Sequence, residues 1–153
     1  MNLIRYTVNL THIDHKKLLD PWRWLIGEDK QIIVVTKIGD VVLKDPDNKL
    51  YLLSTADGTI EHLSNYADDF FKNRLSAQQY YEIFQPRFIE DLEDTEQGNK
   101  KLKEGEVYAY NILPILGGSY ILENICIVEI YAHFASTAQI HKDIDELAKK
   151  QNK

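Results

Sequence analysis

The chain is poor in the residue that makes covalent cross-links: one cysteine, Cys126, stands among 153 residues. A lone thiol closes no intramolecular disulfide, and without a cysteine cluster there is no zinc knuckle or ribbon. Long apolar runs are missing too, since none approaches the ~20 residues that span a bilayer. Met1 to Leu10 alternates apolar with polar side chains, so it lacks the unbroken apolar stretch and small-residue cleavage site of a signal peptide. Basic residues are in deficit, 18 against 24 acidic for a net charge of −6. That argues against a nucleic-acid binder, whose affinity rests on neutralising phosphates. Neither an internal repeat nor a low-complexity tract nor a linker interrupts the chain. These absences predict a soluble, cytoplasmic protein of one domain, residues 1–153, with no membrane and no direct nucleic-acid partner. A chain of this length buries about 68–70% of its unfolded surface and needs neither disulfide nor metal to stand.

What is present predicts an α+β fold. Leu18, Leu19, Trp22, Leu25 and Ile26 recur at spacings of three and four. They mark a short amphipathic helix within 12–26, which Pro21 breaks, with Asp20 as N-cap of the restart. Trp22 and Trp24 lie ~200° apart on such a helix, so they do not both face the core squarely. Ile32 to Ile38, Val41 to Lys44, Leu50 to Ser54 and Thr59 to Leu63 read as strands. Turns at Gly39-Asp40, Asp45-Pro46-Asp47-Asn48 and Asp57-Gly58 join them into an antiparallel meander. Capping spacings at Asn65/Asp68 and Ser76/Gln79 open helices, Pro86 divides them, and a further helix runs from Arg87 to about Thr95. Glu106 to Ile112 alternates as a strand. Asn124 to Phe134 reads as a longer one, with Cys126, Val128, Ile130, Ala132 and Phe134 on its apolar face. A capping box at Ser136 and Gln139 then opens a last helix whose buried stripe is Ile140, Ile144, Leu147 and Ala148. The expected architecture is a mostly antiparallel sheet, a four-strand meander plus C-terminal strands, with helices covering one face.

Catalytic signatures are scarce. There is no phosphate-binding glycine loop, no His-Glu-x-x-His and no Gly-x-Ser-x-Gly. His12-Ile13-Asp14-His15 offers two imidazoles and a carboxylate, short of a full metal set. Its structural reading is a helix start with Asp14 at the positive end. Cys126 and His133 fall on opposite faces of one strand, so Cys126 reads as core rather than as a nucleophile. His133 and His141 either hydrogen-bond nearby carboxylates or carbonyls, or line a pocket with Glu129 and Tyr131. Glu90, Asp91, Glu93, Asp94 and Glu96 put five carboxylates into seven positions. That is either a solvated helix end or a patch that steers a basic partner.

Gly117-Gly118-Ser119-Tyr120-Ile121-Leu122-Glu123-Asn124 resembles a "GG-x-Y-x-x-EN" segment. His133-Phe134 followed by Gln139-Ile140-His141 resembles an "HF…GQIH" closing motif, and Trp22 to Glu28 with the strand pair around Gly39-Asp40 resembles the opening of the same family. That family is the bacterial domain of unknown function forming the C-terminal domain of an immunity protein that neutralises a type VI secretion DNase effector. The resemblance runs from about residue 12 to 148. It departs at Ala138, where the family tends to have Gly, and at Ala135, where Ser often stands. It implies a non-enzymatic protein without cofactor, metal or catalytic residues, whose partner is a cognate toxin. An acidic inhibitor could set carboxylates against the basic groove of a nuclease, which makes Glu90 to Glu96 the first candidates for contact. Gly117 and Gly118 are also explained by a tight turn, and Glu123 and Asn124 by backbone bonds near the strand start. The alternative expectation is a small-ligand or regulatory module with a pocket near Tyr120, Glu129, Tyr131, His133 and His141.

Overall fold

Turn chemistry in the first half dictates a meander, and the computed structural model, which describes residues 3–94 and 96–152, shows one. Strands β1 (Gln31–Val35), β2 (Val41–Lys44), β3 (Leu50–Ser54) and β4 (Thr59–Ser64) form an antiparallel sheet in that order. The first connection is longer than the expected two-residue hairpin. Val35 pairs with Val41, leaving residues 36–40 to form the loop, because Thr36 takes up the turning bonds. Its N–H donates to the Asp40 carbonyl (2.8 Å), its carbonyl accepts from Gly39 N–H, and its hydroxyl accepts from Asp40 N–H.

Helices cover both faces of this sheet rather than one. Val41, Val42 and Leu43 of β2 are all fully buried, the unbroken apolar run of a strand packed on both sides. On one face Val41 and Leu43 join Leu18, Leu19, Trp22, Val107, Ile130 and Phe134. On the other Val42 joins Phe70, Phe84, Ile89, Leu92 and Tyr108. The first face is closed by α1 (His15–Leu19) and α2 (Arg23–Ile26), joined by a 3-10 turn, Asp20–Trp22, where Pro21 restarts the helix. Asp20 does not cap that restart; its carboxylate accepts from Lys16 Nζ at 2.8 Å. Because the 3-10 turn changes the angular spacing, Trp22 and Trp24 stack at 5.9 Å, with Trp22 buried and Trp24 half-buried.

The second face is closed by α3 (Ala77–Phe84) and α4 (Pro86–Glu93). Ser76 and Gln79 form the expected capping box. Asn65 and Asp68 do not cap: Asn65 bonds His62 and Asp68 bonds Asn48, and a 3-10 turn and a π-helical turn fill 67–74. Helix α4 ends at Glu93, and the expected end at Thr95 lies outside the described residues.

Strands β5 (Glu106–Tyr110) and β6 (Ile125–Glu129) make a separate two-stranded sheet. The long strand predicted through Phe134 is overturned: β6 stops at Glu129 and α5 runs from Ile130 to Gln151. Glu129 is the reason, since its carboxylate accepts from the N–H groups of Tyr131 (3.1 Å) and Ala132 (2.8 Å) as an N-cap. Such a cap satisfies donors that a new helix leaves free. Ser136 and Gln139 therefore lie within a helix; Ser136 donates to the His133 carbonyl and Gln139 to Asp143. The buried stripe is Ile130, His133, Phe134, Thr137, Ala138 and His141, while Ala148 is exposed and Leu147 is 58% exposed.

Candidate functional site

The helical turn of α5 brings together what the strand reading separated. His133 and His141 are eight residues apart on one helix, about 12 Å of rise at 1.5 Å per residue, and both converge on Thr55. Thr55 is buried at the end of β3 and gives its hydroxyl proton to the Gly39 carbonyl at 2.8 Å. His133 Nε2, 2.8 Å from the same oxygen, is then the donor in that pair. His141 Nε2 donates to the carbonyls of Thr55 (3.1 Å) and Ala56 (3.0 Å). Burial pushes His133 down to about 4, so it is neutral near pH 7. These are structural histidines.

Two glycines make room for them. Gly39 and Gly58 have positive φ, and a Cβ on either would run into the ring of His133 or His141 respectively. Trp22 lies 5.9 Å from the His141 ring, and Phe134 is wholly buried in the first core. The motif residues Trp22, His133, Phe134 and His141 thus hold α5 against the meander. Trp24 stacks on Trp22 and packs against the edge of the first core, and Gln139 is exposed. Ala138 is 1% exposed in the core, while Ala135 faces solvent.

The glycine motif builds a loop. Gly117 takes φ 96°, and a Cβ on Gly118 would strike the Ile112 carbonyl. Asn124 staples the two ends: its Oδ1 accepts from Ile112 N–H (3.0 Å), and its Nδ2 donates to the carbonyls of Ile112 and Ser119 (2.9 Å each). Glu123 is exposed. The stapled loop displays Ile112, Ile115, Leu116, Tyr120 and Ile121, 48–65% exposed. Tyr120 meets the Tyr110 ring edge-on at 5.6 Å; burial and the neighbouring Asp57 carboxylate hold its hydroxyl above the usual range.

Beside that loop lies a cleft of about 250 Å³ between the meander and α3, lined by Asp40, Asp57, Glu61 and Glu82 with Gln79 and Gln85. Among the described residues no lysine or arginine lines it. Burial raises Asp40 to about 7, with Asp57 adding to the rise and bonds from Thr55 opposing it. Sequence reasoning treated Asp40 and Asp57 as turn residues and passed over Glu61 and Glu82. Only their scattered acidity could have marked them.

The five expected contact carboxylates are partly engaged within the fold. Glu90 accepts from the Tyr6 hydroxyl at 2.7 Å and lies 3.7 Å from Arg5. Glu93 pairs with Lys37 at 2.8 Å. Asp94 accepts from the N–H groups of Glu96 and Gln97. Glu96 is exposed and Asp91 half-buried. The expected ligand pocket is not assembled either: Glu129 caps α5, the Tyr131 hydroxyl accepts from Asp14 N–H, both histidines are bound to the β3–β4 turn, and Tyr120 stands on the loop. Asp14 caps α1, and Cys126 sits opposite Ala109 in the small sheet. Among the described residues no three His, Cys, Asp or Glu side chains are grouped to hold a metal ion.

The family described as "T6SS immunity protein Tdi1, C-terminal" matches residues 64–141, just over half of the chain. The chain belongs to this family. The matched span lies inside the 12–148 expected from the motifs. It begins at the end of β4 and closes on His141, taking in α3, α4, the small sheet, the stapled loop and the buried half of α5. No curated protein matches the chain. Among solved structures, the crystal structure of Atu4351 from Agrobacterium tumefaciens is similar, with 18% identity and a TM-score of 0.49 over 81% of this chain and 63% of that one. The chain thus spans less than two thirds of that protein's length. Among the described residues no helix is long and apolar enough to cross a membrane.

Proposed function

We propose that this protein is a non-enzymatic immunity protein, acting in the bacterial cytoplasm by binding a cognate toxin, a secreted nuclease effector, and blocking its active site. The observation that carries the reading is the family match over residues 64–141. The chemistry of the side chains supports it: His133 and His141 are held in structural bonds, while acidic and apolar groups face solvent where a protein partner can reach them. The net charge of −6 favours encounter with the basic surface a nuclease presents to phosphates. Co-expression with the effector encoded by the adjacent reading frame tests the reading. Relief of growth arrest together with co-purification is expected. An adjacent product that is not toxic, or whose toxicity persists without a complex, overturns it.

A further inference from the structure

Among the described residues the most buried carboxylate lacks a counter-charge. Asp40 is 8% exposed. Its Oδ1 accepts from the Thr55 N–H at 3.0 Å and lies 3.4 Å from the Thr55 hydroxyl. Among the described residues no hydrogen bond reaches Oδ2 and no cation pairs with the group, although Asp40 lines the acidic cleft. Oδ2 is not sealed from solvent but reaches the cleft, so a cation entering there would give the desolvated carboxylate the charge partner that the fold does not supply. The lining groups are not gathered closely enough to share one metal ion. The cleft's 250 Å³ falls below the ~300–1,000 Å³ of small-molecule pockets. A single long basic side chain carried on a protein surface fits both facts.

The second half of the surface adjoins the first. Tyr120, which feels the Asp57 carboxylate of the cleft, stands on the same stapled loop as the exposed Ile112, Ile115, Leu116 and Ile121. Apolar side chains massed on one loop mark an interaction site rather than ordinary surface. The Asn124 staple holds this loop in shape before any partner arrives, so little ordering remains for binding to oppose. We infer that the acidic cleft and the stapled loop form one docking surface, in which an arginine or lysine of the toxin enters beside Asp40, Asp57, Glu61 and Glu82 while its apolar neighbours rest on Tyr120 and Leu116. This rests on the immunity reading and names the face that serves it.

The test is titration of the full chain with the effector encoded by the adjacent reading frame. Glu61, Glu82 and Tyr120 are exposed, so changes there leave the core untouched. The double charge reversal Glu61→Lys/Glu82→Lys is expected to weaken binding on the order of 100-fold and to flatten its salt dependence. Tyr120→Ala is expected to weaken it about 10-fold. The reversal Asp91→Lys/Glu96→Lys on the other acidic segment is expected to change affinity less than threefold. Wild-type affinity in either the cleft or the Tyr120 variant overturns the docking surface while leaving the immunity reading intact. Failure of the unaltered chain to bind the effector overturns both.

Discussion

The molecule has two acidic regions, and they are built in opposite ways. Glu90 to Glu96 is dense along the chain, yet Glu90 and Glu93 are tied to Arg5, Tyr6 and Lys37 from distant segments. The cleft is assembled from a β1–β2 loop residue, a β3–β4 turn residue, a β4 residue and a residue of α3. It is sparse along the chain, and among the described residues no lysine or arginine lines it; His62, which also lines it, bonds Asn65. Charge density in a sequence therefore measures how much charge is present, and the fold determines how much is left for a partner. The first region ties the N-terminal segment to α4, and the second stays open to solvent.

The largest expected effect breaks the frame that supports the cleft. Gly39→Ala adds a Cβ against the His133 ring at a positive φ. Gly105→Ala meets the same φ penalty with nothing within 4 Å. The left-handed conformation costs roughly 1–2 kcal/mol and the clash roughly 1–3 more. Urea denaturation should accordingly show Gly39→Ala losing about 2–5 kcal/mol and Gly105→Ala about 1–2. Equal losses would mean that the histidine contact does not support the loop.

The next sharpens the contrast through pH. Asp40 is raised to about 7 in the folded state from ~3.9 unfolded. Its contribution is full below pH ~4 and is lost as pH rises through 7. His133 is lowered to about 4 from ~6.5 unfolded, so its contribution is present above pH ~6.5 and is lost as pH falls towards 4. Between those limits the two slopes oppose each other, and folding takes up no net proton from the pair. Asp40→Asn keeps an acceptor for Thr55 and unmasks the histidine. Its stability should fall by up to ~1.4 kcal/mol per pH unit from 6.5 to 4, while the wild type stays flat. Parallel profiles from pH-resolved denaturation would show that the two groups are not matched.

The smallest effects compare the two acidic regions directly. Lys37→Ala leaves the partly buried Glu93 with Arg5 at 3.9 Å as its remaining cation and should cost about 1 kcal/mol in thermal unfolding. Glu61→Lys, in the cleft, should change stability by no more than ~0.5 kcal/mol or improve it slightly by easing repulsion. A loss at Glu61 matching that at Lys37 would erase the distinction between an engaged and an open cluster.

Much of the fold was legible in local chemistry. Pro46, Asn48, Gly58 and the strands between them marked the meander, and Ser76 with Gln79 marked the start of α3. The boundary at Glu129 was not legible, because Ile125 to Glu129 alternates like a strand and Ile130 to Phe134 continues that alternation. A glutamate acting as N-cap leaves little sequence signal of its own. The candidate site was the least legible part. Asp40 and Asp57 looked like ordinary turn residues, and Asn124 became a loop staple only once Ile112 and Ser119 were brought to it.

Turn residues, capping pairs and apolar spacing act within a few residues of one another, so the chain alone specified the α+β class, the meander and the family motifs. Which carboxylates are open, which histidines are structural and where apolar side chains gather depend on groups far apart in the chain. His141 meets Ala56 across 85 positions, and Tyr6 meets Glu90 across 84. Such contacts exist only after packing, because desolvation and hydrogen-bond geometry act on neighbours in space. They tied Glu90 and Glu93 of the obvious acidic run into the fold and left Asp57, Glu61 and Glu82 exposed around the buried Asp40.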